Sequence, residues 1–127
     1  MSVLLDFVAS PLGLEPLTAF TLTPVDGAPG LFSLEAVDRP ELRMFVLDAA
    51  VHLPSYSPEL PDEKAAELGI ESADGVLTLV VVNPASEGIT VNLLAPIVVN
   101  AATGASLQVV LDSDFPVRAE LSSLAGA

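Results

Sequence analysis

Cysteine is missing altogether from this chain of 127 residues. That absence excludes disulfides, thiolate metal sites and a thiol nucleophile, and it suits a reducing compartment such as the cytoplasm. Basic residues are scarce: 4 lysines and arginines stand against 17 aspartates and glutamates, for a formal net charge of -13. Such a field repels phosphate backbones, so direct nucleic-acid binding is not expected. The same field attracts basic proteins and speeds encounter with them, although a surplus of acids also serves plain solubility. Histidine is nearly absent, with His52 alone. A general base would have to be this residue or a carboxylate with a raised pKa. Flanked by Val51 and Leu53, His52 is expected to pack or to cap a strand end.

Membrane and export signals are lacking too. The longest uncharged stretch, Gly88 to Leu111, is interrupted by Asn92, Pro96, Asn100, Gly104 and Gln108, which argues against a bilayer span. The first ten residues, MSVLLDFVAS, carry Asp6 where a secretory signal would carry a basic residue, so no export is expected.

What is present is period-2 alternation in short runs. Phe20 and Leu22 oppose threonines in Ala19–Thr23, Phe32 and Leu34 oppose Ser33 and Glu35, and Leu42, Met44 and Val46 alternate up to Leu47. Leu107 and Val109 likewise oppose Ser106 and Gln108. Each run reads as a half-buried strand. Val76–Val82 is apolar at nearly every position and rich in β-branched residues, the mark of a strand covered on both faces; Ile97–Val99 is a shorter version. Asp26-Gly27, Asp74-Gly75, Glu87-Gly88 and Thr103-Gly104 supply turns, and prolines limit strand length. One segment departs from the pattern. Pro61–Gly69 reads as a two-turn helix with Asp62 as N-cap and Gly69 as stop. The expectation is an all-β fold, a small antiparallel β-barrel of about eight short strands with one short helix, forming one domain over residues 1–127 with a loose tail after Glu120.

Chemistry is harder to find. Asp112 and Asp114 open like a calcium loop, but the glycine and closing glutamate are absent, and a strand-end turn explains them. No carboxylate pair is singled out by spacing, and phosphate-binding glycine patterns are lacking. No catalytic residue, metal or cofactor is expected. Two polar features remain. Glu59, Asp62, Glu63, Glu67, Glu71 and Asp74 crowd one stretch against the single base Lys64, which by itself describes a solvated helix and loop. In Thr90–Asn100, TVNLLAPIVVN, Asn92 and Asn100 punctuate an apolar strand pair around Pro96, as turn-capping asparagines would.

Taken in order, Phe45-Val46-Leu47-Asp48, Leu53-Pro54-Ser55-Tyr56, Glu67-Leu68-Gly69-Ile70, the long phrase Thr90–Asn100, Gln108–Leu111 and the closing Arg118 resemble the FliW family of flagellar assembly factors over about Phe7 to Glu120. Departures are Asp48-Ala49 for the family's Asp-Pro, Pro54-Ser55-Tyr56 for its Pro-Asp-Tyr, Pro11-Leu12-Gly13-Leu14 for its Pro-Gly-Phe, and a shortened first hairpin. The resemblance implies a cytoplasmic, non-enzymatic protein with two competing partners, flagellin and the RNA-binding translational regulator CsrA. Export of flagellin would free the protein to bind CsrA and so relieve repression of flagellin translation. An acidic surface docked beside an RNA site would weaken RNA binding without covering it. On this reading Glu63, Glu67, Glu71 and Asp74 are electrostatic candidates, Tyr56 is an aromatic anchor, and Asn92 and Asn100 are candidates with a structural role beside. A generic β-barrel ligand-binding domain or a carboxylate-dependent hydrolase is the alternative, and would need a deep pocket with convergent acids. A purely structural interaction module is a third.

Overall fold

In the computed structural model, residues 3–10, 14–52, 56, 61–70, 75–85, 88–111 and 119–120 are described. They form strands β1 (Val3–Phe7), β2 (Ala19–Pro24), β3 (Leu31–Ala36) and β4 (Arg43–Asp48), then short helices α1 (Ala49–His52) and α2 (Asp62–Leu68), then β5 (Val76–Ala85), β6 (Gly88–Val91), β7 (Ile97–Asn100), β8 (Ala105–Gln108) and β9 (Ala119–Glu120). The strands run β4-β3-β2-β1-β8-β7-β5 and return to β4, closing a ring of seven; β6 and β9 continue outward from β5. An odd ring cannot be antiparallel throughout. The exception is the β1–β8 seam, which is parallel and holds two registered pairs, Asp6↔Ala105 and Phe7↔Ser106. The expected barrel is present, with this parallel seam and the extra four-residue helix α1 as additions.

Alternation divides each strand between two environments. Leu5, Phe7, Phe20, Leu22, Leu34, Val46, Leu79, Ile97 and Val99 fill the barrel, with Phe7 and Phe20 edge to face at 5.2 Å between ring centres. Outside, Leu47, Val80, Val91 and Leu93 form a second core, and Leu68, Val98, Leu107 and Val109 a third. Strand β5 shows why its sequence lacks a polar face. Leu77, Leu79 and Val81 point inward, while Val76 joins the third core and Val80 and Val82 the second. It pairs with β4, β6 and β7, so both faces and much of both edges are covered.

In β8 the alternation holds but its sense is reversed. Ser106, opposite Val99 and Phe7, faces the barrel interior and is fully buried, its hydroxyl donating to the Gly104 carbonyl at 3.0 Å. Leu107 and Val109 face outward, where α2 covers them. Apolar residues thus mark the covered face, which here is the outer one.

Turns follow the glycine signals. Gly104, at φ 85, ends the β7–β8 turn, and its N–H donates to the Asn100 carbonyl at 2.8 Å. A Cβ there would lie 2.7 Å from the Leu4 carbonyl oxygen, so the close approach of β8 to β1 depends on glycine. The Asp74-Gly75 and Glu87-Gly88 turns, Asp112, Asp114 and the tail lie wholly or partly outside the described residues.

Candidate protein-binding surface

Helix α2 is built from good helix formers, with Asp62 and Glu63 in its first turn, where acids suit the positive end of the dipole. Asp62 is not the N-cap, however. Pro61 holds that position, with ψ at 141° and no side-chain cap hydrogen bond, and its carbonyl accepts from Lys64 and Ala65 at 2.9 and 3.0 Å. Proline's fixed φ and missing N–H suit a helix start, which moves Asp62 one place inside. Gly69 closes the helix at φ 69, with its N–H on the Ala66 carbonyl and that of Ile70 on Ala65 at 2.9 Å. This is a Schellman ending, and Ile70 then packs into the outer core beside Leu68.

Only Leu68 of the helix is buried; Asp62, Glu63 and Glu67 are exposed. Lys64 reaches Glu67 at 4.0 Å across solvent, a contact too exposed to add much stability. Glu63 and Glu67 stand four residues apart on one face, where like charges repel slightly. The helix therefore owes its place to Leu68 and to Asn100. The buried Asn100 amide donates to the carbonyls of Leu68 at 2.8 Å and Gly69 at 3.3 Å, and its oxygen accepts the Ala102 N–H at 2.9 Å. One side chain thus satisfies two carbonyls at the helix end and shapes the β7–β8 turn.

Asn92 opens an excursion between β6 and β7, both of which lie on one edge of β5. Val91 pairs with Val82 and Ile97 with Leu79, so the five residues Asn92–Pro96 span the length of two on β5 and must bulge outward. The Asn92 side chain accepts the N–H groups of Leu94 and Ala95 at 3.0 and 3.1 Å, and its own N–H donates to Val81. The carbonyls of Leu93, Leu94, Ala95 and Pro96 accept, respectively, the Tyr56 hydroxyl, the Leu111 N–H, the Gln108 amide and the Val109 N–H. The Asn-Leu-Leu-Ala-Pro phrase is thus a bulge whose carbonyls from Leu93 to Pro96 are each satisfied within the chain.

Tyr56 packs on Leu47, Val80, Val91 and Leu93 and donates its hydroxyl to the Leu93 carbonyl. Burial pushes its pKa up to about 12 from 10.0, because a phenolate would lose hydration there. His52, at the end of α1, places Nε2 2.8 Å from the Pro29 carbonyl, and Gly30 at φ 81 leaves room for the ring. Its contacts are those of packing. Glu59, Glu71, Asp74 and Arg118 lie outside the described residues. The acids that the structure brings together are therefore those of α2, while Tyr56 and Asn92 meet at the Asn92–Pro96 bulge on the β4–β6 side and Asn100 lies beneath α2. Leu68, which anchors the helix, is marked in the sequence only by the apolar character it shares with Ile70. Among the described residues no three of His, Asp or Glu are grouped as a metal site would need, and no helix is long and apolar enough to cross a membrane.

The family model "FliW protein" matches residues 2–121. The chain belongs to the FliW family. A flagellar assembly factor FliW from Syntrophus aciditrophicus (strain SB) is 34% identical over 113 residues, 87% of this chain and 72% of the relative. The flagellar assembly factor FliW of Caldanaerobacter subterraneus subsp. tengcongensis is 34% identical over 97 residues, 71% of this chain and 65% of that protein, so the match spans just under two thirds of its length. A crystal structure of a flagellar assembly factor FliW superposes with a TM-score of 0.86 at 24% identity, covering 93% of this chain and 84% of that one. The fold described above is thus shared with that structure.

Proposed function

We propose that the chain is a cytoplasmic flagellar assembly factor that works by exchanging protein partners: flagellin in one state, and the translational regulator CsrA in the other. Binding to CsrA relieves its repression of flagellin translation. The observation that carries this reading is the acidic face of α2, where Asp62, Glu63 and Glu67 stand exposed on a helix pinned to the barrel by Leu68 and Asn100. A fixed cluster of acids on a chain of net charge -13 complements a basic RNA-binding protein and adds negative potential where phosphates would approach. Glu71 and Asp74 follow α2 in sequence and extend the acidic run. Tyr56 and Asn92 act at the Asn92–Pro96 bulge, the first as an aromatic group over it and the second as the tie that sets its shape, while Asn100 holds the end of α2.

The test is a pull-down with the purified chain as bait against purified flagellin and CsrA at low salt, each alone and both together. Retention of either partner, with one displacing the other, supports the exchange. Failure to retain either contradicts it.

A further inference from the structure

The outside of the barrel has three walls, and two of them are covered. The second core, under α1, β6 and Tyr56, covers β4 and β5; α2 covers β7 and β8. Among the described residues no element covers the third wall, β1 to β3. On β1, Leu5 and Phe7 point inward, while Leu4, Asp6 and Val8 alternate outward, with Leu4 62% and Val8 51% exposed. Val8 stays in the ladder through its N–H to the Ser106 carbonyl at 2.8 Å. Across the sheet Asp6 pairs with Ala19, whose carbonyl accepts the Val37 N–H at 3.0 Å, and Val37 is 47% exposed. Leu4, Val8 and Val37 therefore frame Asp6 and Ala19 on one sheet face about 13 Å long along β1, four residues at roughly 3.3 Å each. Exposed apolar groups gathered on one face in this way mark a contact surface.

Charge and backbone define what fits. Asp6 sits in the middle and exposed Asp38 at the margin. The neighbouring bases are engaged: Arg39 with Glu41 at 3.7 Å, and Arg43 over the Phe45 ring at 5.5 Å. A second copy of the chain would set Asp6 and a charge of -13 against their like, and anionic lipid or nucleic acid meets the same repulsion. Strand addition is closed off because β1 already pairs with β2 on one edge and β8 on the other. The occupant must use side chains against the sheet face, as an amphipathic helix does.

We propose that the outer face of β1 and β2, centred on Leu4, Asp6 and Val8, docks a basic amphipathic helix of a protein partner, its apolar side chains over Leu4, Val8 and Val37 and a lysine or arginine on Asp6. This surface is separate from the acidic face of α2, so its test succeeds or fails independently of the partner exchange proposed above.

The probe is a synthetic helical peptide of about 18 residues, five turns, with leucines on one face flanked by lysines; the same peptide with glutamates for lysines is its counterpart. Binding to the isotope-labelled chain is followed by amide shifts and by titration at about 150 mM salt, where exposed charges act over roughly 8 Å. The lysine peptide is expected to shift amides of Leu4–Val8, Ala19 and Val37, and to bind at least about tenfold more weakly to the Leu4→Ser/Val8→Ser double variant. Asp26→Asn, on the distant β2–β3 turn, leaves the affinity unchanged. Asp6→Lys keeps the apolar face and should weaken the lysine peptide and narrow its advantage over the glutamate peptide, a readout available even if the double variant folds poorly. The proposal is overturned if shifts are confined to α2, if the lysine peptide does not bind, if Asp6→Lys leaves the preference unchanged, or if the chain dimerises through this face in sedimentation.

Discussion

The Asn100 side chain, at the end of β7, donates to the carbonyl of Leu68, the last residue of α2, across 2.8 Å. Through it the acidic helix is tied to the barrel wall. Asn100→Ala removes this bond, the bond to Gly69 and the cap on Ala102, leaving the buried Leu68 carbonyl unsatisfied. A loss of about 2 kcal/mol is expected in denaturant unfolding, and hydrogen exchange at the amides of Ala65 to Ile70 should rise before that of the barrel strands.

Glycines at positive φ should separate by what surrounds them. Gly104→Ala faces both a left-handed backbone and a Leu4 carbonyl oxygen 2.7 Å away, whereas Gly27→Ala, at φ 78, meets open space. The second variant is expected to cost about 1 kcal/mol, the penalty of the left-handed region. The first should cost clearly more and loosen the parallel β1–β8 seam. Thermal unfolding of both variants side by side checks the order, and equal losses would contradict the close approach described for Gly104.

Tyr56 is the only tyrosine in a chain without tryptophan, so its ionisation can be followed by absorbance without interference. Its midpoint is expected near 12 instead of 10.0. Because the folded-state pKa is raised, the neutral phenol is what the fold favours. That contribution is complete below about pH 10 and is lost as pH rises toward 12. Tyr56→Phe removes the bond to the Leu93 carbonyl, should cost about 1 kcal/mol at neutral pH, and should remove this alkaline component of the stability curve.

Much of the barrel is legible in the sequence because its strands alternate cleanly. Phe20, Leu22 and Leu34 are where period-2 spacing puts them, and the nearly continuous apolar run Val76–Val82 of β5 correctly signals burial on both faces. Ser106 and Leu107 show where that logic stops. Alternation reports which face is covered but not whether the cover is the barrel interior or an external helix, and α2, distant in sequence, decides it. The parallel β1–β8 seam is likewise a product of ring closure, with no local signal in Val3–Phe7, where Leu4 and Leu5 are both apolar although only Leu5 is buried. For the same reason the open face of β1 is hidden in the sequence. Asn92 and Asn100 were readable as turn formers, while their partners at Ala95, Leu68 and Gly69 depend on contacts across the fold. The helix start fell one residue early because Pro61 and Asp62 are both good opening residues, and the backbone selected the proline.

Exchange of partners through an acidic surface is the central claim, and RNA release measures it most directly. Fluorescently labelled RNA bound to CsrA is titrated with the chain at about 50 mM and about 300 mM salt, which bracket the roughly 8 Å screening length of physiological solution. The account predicts RNA release at low salt, weaker release at high salt, and a reduced effect for the Glu63→Gln/Glu67→Gln variant. A chain that forms no complex with CsrA at low salt and leaves its RNA affinity unchanged would contradict it.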